Sequence, residues 1–353
     1  MVENKRIEWV DVAKGIGIIL VVLGHNKAPG YIINFIYAFH MPLFFFMSGL
    51  LNNPTRYTNA FHFFRSKFVK LIIPYMVFNA VTYLYWVFID KPPRTYENII
   101  IPLKGMLYGV GTDGWLLHNN ALWFLTCLFL IEVIFYIITR ISKNYWIIFL
   151  LLLISGVIGA YIVDFNPRLP WGLDVAFTGV VFYGIGYLFK TIRDGKLMQF
   201  RPQSVLLALV PLTYILVFSF FNHGNSFIVD MNSGNYGKIP FFYLAAFSGI
   251  VLVVVVSKFL TNSATLTYLG KNSLIIFGLH ILAIKIFKNQ LGIGLDISLI
   301  ESLICTVGEI ALLIPVVFVV GKLKRFQINH LINKNKLFTN KKKYGNIEKK
   351  TLL

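Results

Sequence analysis

Residues 120–139 read NALWFLTCLFLIEVIFYIIT, twenty positions with one charged side chain, Glu132. An α-helix rises 1.5 Å per residue, so this stretch spans about 30 Å, the thickness of a bilayer's hydrocarbon core. A helix pairs every backbone N–H and C=O within itself, which is the condition for standing in lipid. The stretch therefore predicts a transmembrane helix, and nine others repeat the pattern. They lie near Glu8 to Lys27, Tyr31 to Leu51, Phe68 to Ile89, Tyr145 to Val163, Gly172 to Phe189, Ser204 to Phe221, Ile239 to Leu260, Asn272 to Asn289 and Leu299 to Gly321.

Composition agrees over the whole chain of 353 residues. Hydrophobic residues make up 57% and charged residues 14%, where a soluble domain carries about 25% charge. Disorder is excluded by the 16% aromatic content, and a disulfide scaffold by a cysteine pair, Cys127 and Cys305, that sits in apolar runs. The net charge of +18 does not form a basic domain interleaved with aromatics, so no nucleic-acid partner is expected. The fold class expected is all-α, a polytopic membrane bundle of about ten transmembrane helices.

Cations in the connections set the orientation, because the cytoplasmic side keeps the positive excess. With ten spans, the side holding both termini carries 25 Lys and Arg and the other side eight; without the five lysines from Lys341 onward the ratio is still 20 to eight. Both termini are expected in the cytoplasm, with the protein multi-pass in the cell membrane. The first apolar run lacks a small-residue cleavage site and is expected to stay in the membrane. Residues 1–321 form the membrane domain, and 322–353 a basic tail too poor in apolar residues to fold by itself. The tail would touch anionic lipid, membrane lipids being partners throughout. The longest outer connection, Asp90 to Asn119, is rich in Pro and Gly and reads as irregular or re-entrant.

Ionisable groups at membrane depth are costly and point to function or to structural pairing. Asp11, Lys14 and His25 share one stripe of the first span: eleven positions from Lys14 to His25 return to within about 20°, with a rise of about 16 Å. Asp11 and Lys14 could instead pair with each other. His40 sits two residues before Pro42, and either handles protons in a reaction or satisfies a carbonyl freed by the proline. His280 occupies the middle of the ninth span. Glu132 and Glu309 are candidates to fix a histidine tautomer or to serve as protonated structural acids. Trp123 reads as an interface anchor or a sugar platform. No GxxxxGK[ST], HExxH, CxxC or GxSxG is present, so no metal is expected and the ATPase, zinc protease and serine hydrolase readings lose their support.

The run from Arg6 through Asp11, Lys14 and Gly17 to His25 resembles the opening helix of the acyltransferase 3 family, integral membrane acyltransferases that include fucose 4-O-acetylase-like proteins. Phe39 to Gly49 resembles the family's second helix, and Lys67 to Tyr75 its basic approach to the third. Leu122-Trp123-Phe124-Leu125 and Leu269-Gly270-Lys271-Asn272-Ser273 through His280 are similar to later blocks. The family pairs an Arg with a His eleven positions on, and here Lys14 stands for the Arg, keeping the charge without the bidentate fork. Larger relatives add an extracytoplasmic hydrolase-like domain, so the resemblance implies a stand-alone acyltransferase.

The implied activity is transfer of an acetyl group from cytosolic acetyl-CoA to a hydroxyl of a cell-envelope or exported glycan, or its lipid-linked precursor, without a permanently bound cofactor. An imidazole suits the general base, so His25, with His40 beside it, carries the catalytic expectation. Lys14, Arg65, Lys67 and Lys70 at the inner face would hold the phosphates of coenzyme A. Asp11, His280, Glu132, Glu309 and Trp123 are supporting candidates. A proton-coupled secondary transporter or glycolipid flippase is the alternative, since midplane His and Glu also suit a carrier.

Overall fold

The computed structural model describes residues 7–26, 28–90, 96–164, 168–194, 229–291 and 298–348. Among them the chain is all-helical, with no strand and an isolated antiparallel bridge between Asp230 and Asn235. The helices are α1 (Glu8–His25), α2 (Gly30–Tyr37), α3 (His40–Leu50), α4 (Ala60–Lys67), α5 (Ile73–Phe88), α6 (Tyr96–Tyr108), α7 (Trp123–Ile141), α8 (Tyr145–Asp164), α9 (Leu173–Asp194), α10 (Ile239–Phe259), α11 (Ala264–Lys271), α12 (Ser273–Leu291) and α13 (Leu299–Glu348).

Among the described residues eight helical stretches are long and apolar enough to cross a membrane: Gly30–Leu50, Ala60–Phe88, Asn120–Ile141, Tyr145–Ile162, Pro170–Lys190, Ile239–Phe259, Ser273–Gln290 and Leu299–Leu323. Each matches an expected span. Helix α1 corresponds to the first, but Glu8, Asp11 and Lys14 make it too charged to qualify by composition. The expected span Ser204 to Phe221 lies outside the described residues. Large apolar side chains such as Trp146, Val157, Ile300 and Val307 stand exposed on the outer faces of α8 and α13, as a lipid-facing surface requires. The chain is a multi-pass membrane protein.

Local detail departs from the sequence reading at four places. The second span breaks between α2 and α3 at Ala38 and Phe39, because the Pro42 ring cannot sit against the carbonyl of Ala38 four residues earlier. The third starts earlier, at Ala60, where the Asn59 side chain accepts a hydrogen bond from His62 N–H at 2.8 Å and caps α4. It then passes through a π-turn over Phe68–Ile72 into α5. Within the connection expected to be irregular, α6 forms over Tyr96–Tyr108 despite Pro102, and residues 109–119 are irregular. Helix α13 carries the backbone beyond its apolar part, through the lysine-rich segment to Glu348.

Lipid offers no hydrophobic force between spans, so close packing rests on small residues. A Cβ at Gly15 would strike the carbonyl of Leu266, and one at Gly270 the carbonyl of Asp11, so α1 and α11 touch backbone to backbone. Gly49 against Tyr183 and Gly186 against Phe46 bring α3 and α9 together in the same way. The buried core runs through α1, α3, α7, α9, α10 and α12, and it leaves polar space at each end of α1.

Candidate active site

At the C-terminal end of α1 lies a cavity of about 80 Å³, lined by His25, His40, Tyr37, Asn120, Trp123, Asp230 and Asn232 together with Val21, Met41, Ala121, Met231 and Phe277. Four elements build it. Helix α1 supplies His25 in its last turn. The α2–α3 break turns Tyr37 and His40 toward each other, ring centroids 4.9 Å apart, and Tyr37 stands 6.3 Å from His25. The start of α7 brings Trp123, and the bridged turn Asp230–Asn235 forms the remaining wall.

The histidines share one local geometry. His25 Nδ1 lies 2.9 Å from Val21 O, His40 Nδ1 2.9 Å from Ile36 O and His280 Nδ1 2.6 Å from Phe277 O. A carbonyl only accepts, so each Nδ1 donates, and in the neutral ring each Nε2 keeps its lone pair. His40 therefore does satisfy a carbonyl at the break, that of Ile36 rather than that of Ala38. His280 is fully buried behind His25, the two rings meeting at 4.9 Å and 75°. Among the described residues its Nε2 has no hydrogen-bond partner.

The two buried glutamates lie elsewhere. Glu132 pairs with Lys67 at 2.8 Å, with Tyr183 Oη 3.5 Å away. Glu309 accepts from Asn26 Nδ2, which also reaches Thr306 Oγ1 at 3.1 Å. Among the described residues neither carboxylate is bonded to a histidine, and the partners they have there are Lys67 for Glu132 and Asn26 for Glu309. Lys67 is buried between Tyr57, Phe63 and Glu132, whereas Arg65 and Lys70 are exposed.

Lys14 is half-buried and Asp11 buried on α1. The helix is continuous, so Lys14 stands about 16 Å along the axis from His25. At that N-terminal end a second cleft of about 470 Å³ is bounded by Glu8, Asp11, Thr267, Tyr268 and Lys271. The two cavities thus occupy opposite ends of α1. Among the described residues no three His, Cys, Asp or Glu side chains stand where they could share a metal ion.

Side chains outside the sequence reading position the cavity. His118 donates from Nε2 to Asn79 Oδ1 at 2.8 Å, and Asn119 Nδ2 reaches Gly278 O at 2.9 Å. These bonds tie the segment before α7 to α5 and α12, and so fix Asn120 and Trp123. Burial, helped by the charge of Lys285, lowers the His118 pKa from 6.5 to about 4. Arg168 pairs with the buried Asp174 at 2.7 Å and donates from Nη1 to the Asn232 carbonyl. Asp230 and Asn232 belong to a stretch whose Asn and Gly content announces only a turn; its nearness to His25 comes from the packing of α10 on α1.

The family model described as an acyltransferase domain matches residues 7–321. No curated protein and no solved structure matches the chain.

Proposed function

The chain belongs to the acyltransferase 3 family of integral membrane acyltransferases, and on that premise we propose an O-acetyltransferase that moves acetyl from cytosolic acetyl-CoA to a hydroxyl of an envelope or exported glycan, or of its lipid-linked precursor. The observation that carries this reading is that His25 lines the cavity with Nδ1 committed to Val21 O, which leaves the Nε2 lone pair of the neutral ring available to act as a base.

The chemistry balances on that nitrogen. His25 Nε2 takes the acceptor hydroxyl proton as the oxygen attacks the thioester carbonyl. The tetrahedral adduct collapses, the C–S bond breaks, and the imidazolium returns the proton to the departing thiolate. His40, on the same wall, is the second candidate base, and His280 supports the His25 ring from behind.

The donor enters in this reading from the opposite end of α1. Its phosphates meet Lys14, aided by Arg65 and Lys70, while Lys67 serves to neutralise Glu132. The 470 Å³ cleft beside Asp11 supports access there, and the pantetheine arm covers the distance to His25. This arrangement requires the N-terminal end of α1 to face the cytoplasm, as the cation asymmetry favours. With Ser204 to Phe221 as a further span and α1 counted, the layout has ten spans in the cell membrane, both termini inside and the segment after 321 a basic cytoplasmic extension. Trp123 then serves as a sugar platform at the outer mouth.

The test is incubation of the purified protein with acetyl-labelled acetyl-CoA and envelope glycan. Label appearing in the glycan supports the reading. A carrier would neither acetylate glycan nor hydrolyse the donor.

A further inference from the structure

Among the described residues, Asp230 is the sole formally charged one lining the His25 cavity, and it lies near enough for its charge to act on both His25 and Tyr37. A carboxylate in a small, aromatic cavity is costly unless hydrogen-bonded. The turn provides that: Asn232 N–H donates to Oδ1 at 2.9 Å and Ser233 Oγ to Oδ2 at 2.7 Å. Each carboxylate oxygen accepts two hydrogen bonds, so each keeps capacity for a ligand. Asn232 adds an Oδ1 that is buried and, among the described residues, without a partner. Beside the base, the wall therefore offers acceptors that call for O–H donors, with the faces of Trp123 and Tyr37 nearby for C–H surface.

The turn is also held rigid. Asp230 and Asn235 exchange backbone bonds of 2.8 and 2.9 Å, and Gly234 and Gly237 take φ of 74° and 64°, which only glycine adopts without strain. Arg168 clamps it, joining the Asn232 carbonyl to Asp174 in the first turn of α9. A wall fixed from two elements selects geometry rather than merely tolerating a ligand.

Resting on the acyltransferase reading, we propose that Asp230 and Asn232 are the acceptor-recognition residues: they bind hydroxyls of the acceptor ring that neighbour the one acylated. Arg168 is a positioning residue that acts through Asn232.

The experiment uses the full chain in nanodiscs, labelled acetyl-CoA, a set of methyl hexosides and 6-deoxyhexosides, and cyclohexanol as the ring with a single hydroxyl. Wild type should prefer a methyl glycoside to cyclohexanol. Asp230→Asn, nearly isosteric, should raise KM for that glycoside about tenfold or more, with KM for acetyl-CoA within about twofold. Asn232→Ala should act in the same direction. Arg168→Ala should raise the glycoside KM, and Arg168→Lys should recover part of it. A rise in the acetyl-CoA KM instead would assign these acceptors to the pantetheine amides and overturn the proposal. An unchanged glycoside KM, or equal loss with cyclohexanol, would overturn it while leaving acyl transfer intact. A wild-type protein that neither transfers nor hydrolyses acetyl would remove the underlying reading and the proposal with it.

Discussion

His25 and His280 meet edge to face, ring centroids 4.9 Å apart and planes at 75°. Both donate Nδ1–H to carbonyls of their own helices, so the contact joins two rings already fixed from behind. In the proposed mechanism His280 packs behind the base. His280→Phe preserves a ring and removes a buried acceptor that, among the described residues, has no partner, an exchange that is near neutral for stability. It should keep acyl transfer within about tenfold of wild type, while His280→Ala, which leaves a cavity beside the base, should lose more. Steady-state kinetics decides: a Phe variant as inactive as the Ala variant would make the His280 nitrogen part of the chemistry.

Lys67 and Glu132 are both buried and 2.8 Å apart. Removing one partner of such a pair costs about 3–5 kcal/mol, because the other charge stays buried alone. Lys67→Met should therefore lower thermal stability in detergent sharply, and Lys67→Met with Glu132→Gln should restore most of it. The restored double variant should bind acetyl-CoA as wild type does. A double variant that is stable but defective in donor binding would return Lys67 to the phosphate site.

The sequence made the bundle readable because a span has a strong local signal, a helical length of apolar residues, and eight spans follow it. Its errors fall where local pattern and packing part company. Pro42 announced a distortion, but which carbonyl His40 satisfies depends on where the break falls. Glu132 looked like a partner for a histidine because both are rare at depth; the helix register gives it Lys67. Asp230 and Asn232 left no signal beyond a turn, since packing alone brings them to a cavity shared with His25, more than two hundred positions away.

His118 supplies a pH dependence. Its pKa is held at about 4 in the folded protein, by burial first and the Lys285 charge second, against 6.5 when free. The unfolded state thus binds more protons between those values, so stability is full above pH 6.5, falls as pH drops toward 4 and levels below it. The contribution is on the order of 3 kcal/mol. Melting curves at pH 7.5 and 5.0 should show a larger drop for wild type than for His118→Gln. Equal drops would show that another group carries the dependence.

Orientation is testable at two exposed positions. Asn144 follows the C-terminal end of α7, whereas Ser233 lies on the turn beside the cavity at the other end. The native Cys127 and Cys305 are both buried. In intact cells an impermeant thiol reagent should label a cysteine at Ser233 and spare one at Asn144. The reverse labelling would place the His25 cavity on the cytoplasmic side and invert the proposed path of the donor.

The central claim is that His25 Nε2 is the general base. The most direct measurement is the rate of acetyl transfer by purified, folded His25→Ala, with acetyl-CoA binding measured on the same sample. The expected result is a loss of about 10²- to 10⁴-fold in kcat with donor affinity retained, because the proposed phosphate site at Lys14 lies some 16 Å away along α1. A variant that binds acetyl-CoA and transfers at the wild-type rate would contradict it and move the base to His40 on the same cavity wall.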